Sequence, residues 1–308
     1  MKELRDLEPD FWRAPSAHNT QPWLLRYHKH EVEIGWDPAR ALPVSDPTGR
    51  DLRLGLGAFV ETCLIVCASA GLRVGFRSDP GPLRAGFLHG TAEPYRTPFT
   101  TTDVRARGAN RGAYEAGRLP AEVMDRLAEH ANLVRVPCRE LAGLLFAADL
   151  HQFGDPEVTR ELREWLRLTP RHPRYLLDGL TDQALSLGAG EALGLRASLA
   201  LYPALRRLGL PKLLAGAGRG LLDYDGDVLV LVGDPGDQLE QGRALMRTWL
   251  TLSGLGYTTH PLSQIIDCAG TRRALADRLD AKDPDSLLHL ARAGKPKAPA
   301  VRSARVRT

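Results

Sequence analysis

Cysteine, aromatic residues and long uncharged runs are all scarce in this chain, and each scarcity removes a class of protein. The four cysteines, Cys63, Cys67, Cys138 and Cys268, form no C-x-x-C pair and have no accompanying histidine pattern. Neither a thiolate metal centre nor a disulfide framework is expected, and Cys63 and Cys67, four apart, read as reduced core thiols on one helical face. Aromatics are 6% of the residues and no basic stripe runs between them, so a nucleic-acid surface is not expected. The net charge of +4 is concentrated in the tail, where Lys295, Lys297, Arg302, Arg305 and Arg307 occur without an acid. Only Leu54–Leu72 approaches membrane-spanning length. It contains Glu61 together with Gly55, Gly57, Ala58, Ser69 and Gly71, and reads as a buried helix. Met1–Asp10 lacks the apolar run of a secretory leader, so a cytoplasmic protein with no membrane partner is expected. Nucleotide loops and hydrolase elbows are also missing. Gly55-Leu56-Gly57 lacks a third glycine, Gly216–Gly220 lacks the P-loop lysine and hydroxyl, and no G-x-S-x-G occurs.

What is present suits a folded protein of one large or two smaller units: 308 residues, 43% hydrophobic and 25% charged. Residues 23–37 read as strand, turn, strand, with period-two alternation in Glu31–Trp36. A loop over 41–50 leads into an apolar helix over about 51–70, stopped by Gly71. Short strands are expected at 72–76 and 84–89, then a linker at 91–102. Beyond it come a helix at 120–129 and a long helical region at 138–168, interrupted near 152–155. The stretch 170–220, rich in Gly, Pro and Leu, reads as an insertion or lid of short helices. Asp227–Gly233 has the length and β-branching of a buried strand. Helices at 238–252 and 271–278 flank a turn at 256–262. Strand, polar turn and long apolar helix occur twice, at 32–71 and 228–256. We expect an α+β fold of two unequal halves, 1–98 and 99–308, with antiparallel sheets and long central helices.

The densest polar motif is Ala14-Pro15-Ser16-Ala17-His18-Asn19-Thr20-Gln21-Pro22-Trp23. Two prolines stiffen the backbone on either side of Ser16, His18, Asn19 and Gln21. Ser16 is placed to cap a short helix. The amides of Asn19 and Gln21 carry donors and acceptors together, which suits a flat, heteroatom-rich ligand. Trp23 alone reads as a core plug. A second constellation is Arg107-Gly-Ala-Asn-Arg111, whose guanidinium groups would share one face of a helix and could grip a phosphate.

The segment APSxHNxQPW closely resembles the flavin-binding segment of the nitroreductase family, in particular its tandem-repeat, Acg-like group. Arg107–Arg111 resembles the family's R-x-T-N-R phosphate segment, with Ala109 at the threonine position. The family's order, arginine segment first, is reversed here, and each segment occurs once. The resemblance therefore implies a nitroreductase-like fused pseudo-dimer with one FMN site between the halves, working as a monomer. It implies FMN contacts from Pro15, Ser16, His18, Asn19 and Gln21, and phosphate contacts from Arg107 and Arg111. Thr259 and His260 fall where the family places donors near the ring. Pro296–Arg305 resembles the family's terminal arginine strand, and Arg302 and Arg305 both fit its arginine. No residue is assigned as catalytic and no metal is implied. The implied activity passes electrons from NAD(P)H through FMN to a small nitroaromatic or quinone-type acceptor. The alternative is a flavin-sequestering protein with its FMN under a lid and no turnover.

Overall fold

Trp23–Tyr27 (β1) and Glu31–Trp36 (β2) pair antiparallel, with Trp23 opposite Trp36 and Tyr27 opposite Val32. Val32 and Ile34 point into the core, as the alternation requires. Val74–Gly81 (β3) and Arg84–Gly90 (β4) complete a four-stranded antiparallel sheet in the order β1-β2-β4-β3. β3 runs five residues past the expected strand at 72–76. The computed structural model describes residues 2–306, so Arg307 of the basic tail lies outside the described residues.

A second four-stranded sheet is built from Leu133–Pro137 (β5), Asp227–Val232 (β6), Thr258–Pro261 (β7) and Leu287–Gly294 (β8), in the order β5-β6-β8-β7. Every pairing in it is antiparallel. Only β6 was expected as a strand. β5 is short, contains an arginine and ends on proline. β8 is buried at all eight positions, so Leu-Leu-His-Leu-Ala-Arg-Ala-Gly shows no alternation. The expected turn at 256–262 is instead the edge strand β7, because Thr258–Pro261 pairs with β8 between Ala291 and Gly294.

In each sheet the strand order by sequence is first, second, fourth, third. A long helix joins the second strand to the third in both: Arg50–Ser69 (α1) after β2 and Gln238–Gly254 (α2) after β6. α1 is long and apolar enough to cross a membrane by composition, and 72% of its apolar window is buried inside the molecule. The two helices cross at glycine. A Cβ on Gly57 would lie 1.9 Å from the Leu239 carbonyl oxygen, and one on Gly242 would lie 2.1 Å from that of Leu54. Within the apolar run of α1, Glu61 is fully enclosed. It accepts from Arg243 Nε at 2.9 Å and the Tyr95 hydroxyl at 2.7 Å, and Arg247 Nη1 lies at 3.1 Å. These partners replace the water that the carboxylate loses on burial.

The helical region after β5 divides where expected, into Cys138–Gly154 and Pro156–Trp165. Asp155 caps the second by accepting from Glu157 N–H at 2.8 Å. Residues 170–220 carry short helices at Ala189–Ala200, Tyr202–Leu205 and Leu210–Ala217. Their base is fixed by the buried Asp178, which binds Arg167 at 3.0 Å, Arg40 at 3.2 Å and Arg174.

Candidate functional site

A cavity of about 850 Å³ is lined by the loop before β1, by α1 and α2, by residues 105–111, by β7 and by the tail. Nine of the eleven expected site residues line it: Pro15, Ser16, His18, Asn19, Arg107, Arg111, His260, Arg302 and Arg305. Gln21 and Thr259 do not.

The loop that carries the first group is strained. His18, Asn19 and Gln21 have φ of 48°, 55° and 51°. Asparagine tolerates the left-handed region, whereas histidine and glutamine are held there only by their surroundings. Ser16 supplies one restraint. It does not cap the short 3-10 turn as expected; its Oγ accepts from the Gln21 N–H at 2.9 Å. The two amides supply the others. Asn19 Nδ2 donates to the carbonyls of Gly179 at 3.1 Å and Ala304 at 3.0 Å, and its Oδ1 accepts from Arg305 Nη1 at 2.9 Å. Gln21 Nε2 donates to Leu177 O, and its Oε1 accepts from Val306 N–H, both at 2.9 Å. Gln21 is 2% exposed. The insertion and the tail run back across the loop and occupy the amide of Gln21, which is why it is absent from the cavity wall. Trp23 is the core plug expected of it, stacked on Phe59 at 4.7 Å.

Arg107 and Arg111 reach the cavity from extended chain, not from a helix. The helix Thr101–Ala106 ends with Arg107 at φ −61°, ψ 135°. Ala109 then forms a parallel bridge with Thr259, and Asn110 N–H donates to Thr259 O at 2.9 Å. The arginine segment thus extends the edge of β7. This also explains Thr259: its backbone carries the bridge, while Thr258 and His260 on either side of it face the cavity. The tail is no strand beyond an isolated bridge between Pro296 and Tyr114. It nevertheless separates its two arginines, since Arg305 is buried and Arg302 is exposed on the cavity wall.

These guanidinium groups lack anions. Arg107 Nη2 donates to Arg13 O at 2.8 Å, Arg111 Nη1 to Ala184 O at 3.3 Å, and Arg305 to Asn19 and nearby carbonyls. None of the three has a carboxylate partner among the described residues. The Nε atoms of Arg13, Arg107 and Arg305 are buried without any partner. Burial brings Arg107 and Arg111 down to about 10. Burial, then the neighbouring Arg107 and Arg13, brings Arg305 down to about 9. A guanidinium still keeps its proton at neutral pH, so the penalty remains until an anion relieves it. Arg105 differs, being paired with Asp10 through two 2.7 Å contacts.

His18 and His260 are both held toward the neutral form. Burial and then Arg111 lower His18. Burial, Arg111 and Arg292 push His260 far down, and its Nδ1 accepts from Arg292 Nε at 3.1 Å. Arg292 was not anticipated, because its strand β8 was not. It also donates to the carbonyls of Arg111 at 3.1 Å and Gly112 at 2.6 Å, which fixes the arginine segment against the sheet.

Carboxylates on the cavity wall were also missed: Asp51, Asp149 and Asp267, beside Gln264 and His289. Arg50 bridges Asp51 at 2.7 Å and Asp267 at 2.6 Å. Burial, and then Asp51, raises Asp267 to about 8 against the pull of Arg50. Burial raises Asp149 to about 6, opposed by its bond from Gln264 at 3.2 Å. Burial drives His289 down to about 4. Its ring packs edge-on to Trp249 at 5.4 Å, and its Nε2 has no partner. Asp51, Asp149, Asp267 and His289 come from three different helices and a strand and share no linear motif.

The cavity's chemistry is therefore an anion-seeking end and an acidic wall, with neutral imidazoles and Trp249 also on its lining. The chain is 26% identical over 283 residues to a Mycobacterium tuberculosis protein provisionally named NAD(P)H nitroreductase Rv3131, a match covering 85% of this chain and 76% of the relative. It is 37% identical over 70 residues to the NAD(P)H nitroreductase provisionally named acg from the same species, covering 23% of this chain and 21% of the relative. No family model matches the chain. The proline-flanked loop and the arginine segment meet at one cavity, and over most of its length the chain is similar to proteins provisionally named NAD(P)H nitroreductases, Acg among them over a shorter stretch.

Proposed function

We propose that the chain is an FMN-binding NAD(P)H oxidoreductase acting on a nitroaromatic or quinone-type acceptor. The observation that carries this is the group of guanidinium ions, buried Arg305 and half-buried Arg107 and Arg111, without carboxylate partners at one cavity. A phosphate monoester has the charge and the acceptor oxygens that the unpartnered Nε atoms of Arg107 and Arg305 lack. The cavity is large enough for the rest of the cofactor, and the donor set fits it. Bound there, FMN would accept two electrons from NAD(P)H and pass them to the acceptor.

The chain's own residues bind, orient and shield. Arg305 takes the role that the sequence left open between two tail arginines, because it is the buried one and Asn19 fixes its position. Pro15, Ser16 and His18 form wall beside the anion end. Gln21 acts one step removed, by holding the strained loop. Neutral His18 and His260 offer hydrogen bonds without imidazolium protons, so protons for the reaction come from water. The repeated strand order and the crossing of α1 and α2 support a fused pseudo-dimer with halves near 1–98 and 99–308, working as a monomer.

One feature favours flavin storage as a second reading. Asn19 and Gln21 bind the backbone of 177–179 and 304–306, which draws the insertion and the tail over the loop. The visible spectrum of the purified protein, recorded anaerobically before and after NAD(P)H, separates the two. Bleaching of a flavin band supports the oxidoreductase, a band that persists supports storage, and a protein that takes up no FMN refutes both.

A further inference from the structure

The insertion presents apolar side chains to water where a folded surface normally does not. Leu193, Leu201, Leu208 and Leu213 are 66%, 55%, 80% and 70% exposed, within 21 residues of a run of short helices and the bends that join them. Scattered singly, exposed leucines need no explanation, but this density does. The segment is not loose chain. Leu199, Tyr202, Leu210 and Ala215 are buried on its other side, and the Tyr202 hydroxyl donates to Phe153 O at 2.6 Å. The outward leucines are therefore held outward by a packed inner face.

Charge indicates what covers them. Residues 189–222 carry five basic side chains and one acid, Glu191. Glu191 is occupied at its own helix start, accepting from Gly188 N–H at 2.7 Å. Arg196, Arg207 and Lys212 are exposed, and none has an acidic partner among the described residues. We propose that this face docks on an anionic bilayer surface, with the leucines entering the interface and the basic side chains meeting lipid phosphates. Leucines beside lysine and arginine on short helices are the composition of interfacial segments. A second copy of the chain fits less well, because two-fold pairing would set the same basic residues against each other. This proposal departs from the expectation, drawn from the sequence, of no membrane partner.

The test is co-sedimentation of the full chain with vesicles of phosphatidylcholine alone or mixed with phosphatidylglycerol, alongside sedimentation velocity without lipid. The wild type should bind the mixed vesicles, fail to bind the neutral ones, and release with salt. Arg207→Glu/Lys212→Glu should weaken binding by roughly tenfold or more. Leu208→Gln/Leu213→Gln should also weaken it, with unchanged melting since all four sites are exposed. No binding to the mixed vesicles overturns the proposal, as does insensitivity to either variant. So does self-association of the wild type that the leucine variant abolishes, which would assign the face to a second copy.

Discussion

At the residue scale, the site is defined by cations that lack their anion. Replacing both Arg107 and Arg111 by alanine removes two charge-assisted contacts, each worth roughly 1.5–3 kcal/mol. FMN retention should fall by about a hundredfold or more, as read by equilibrium dialysis, while the melting temperature of the stripped protein holds or rises. Retention equal to wild type would disprove the phosphate assignment. The segment of Asn19 stood out through its two prolines, whereas the tail offered Arg302 and Arg305 without a choice between them, because only burial separates the two. The carboxylates were not, because burial rather than sequence context makes Asp267 and Asp149 unusual.

His289 gives a pH prediction. Its imidazole is depressed to about 4 in the folded chain, and the unfolded chain takes up a proton near 6.5. Between those values the unfolded state binds more protons, so this group's contribution falls as the pH falls. Asp149 and Asp267, raised in the folded state, act in the opposite sense over the same range, so the effect must be isolated by difference. Urea unfolding at pH 7.5 and pH 5 should show the stability gap between wild type and His289→Gln moving by about 2 kcal/mol in the variant's favour. A constant gap would mean that the imidazole reaches water.

At the scale of elements, the long helices were legible and three of the four strands of the second sheet were not. α1 and α2 have clear apolar patterns with glycine near their ends. β5 and β8 had no such signal, since the strand that buries both faces loses its alternation and also carries His289 and Arg292. The arginine pair shows the same limit: a four-residue spacing suits a helical face, but pairing with β7 wins and places both side chains from extended backbone. The helix crossing is the feature most sensitive to a single atom. Gly57→Ala forces a methyl against the Leu239 carbonyl and should cost about 3 kcal/mol or more, because backbone must move. Ala70→Ser, at the exposed helix end, is the control and should change little. Equal urea midpoints for the two variants would contradict the close crossing.

At the scale of the whole molecule, the repetition is stronger than the sequence suggested. Both sheets share strand order and the position of their long helix, although the second receives residues 138–222 between its first two strands. The weak pattern at 32–71 and 228–256 marked the repeated core. The insertion hid the repeat, because it separates β5 from β6 by far more chain than separates β1 from β2. One consequence is a cavity whose walls come from distant parts of the chain, with each family segment present once.

Whether one flavin is anchored through its phosphate by Arg107, Arg111 and Arg305 is decided by titrating the flavin-free protein with FMN and with riboflavin, followed by flavin fluorescence. One equivalent of FMN per chain is expected, with riboflavin weaker by roughly a hundredfold or more. Equal affinities, or two equivalents per chain, would contradict that anchoring.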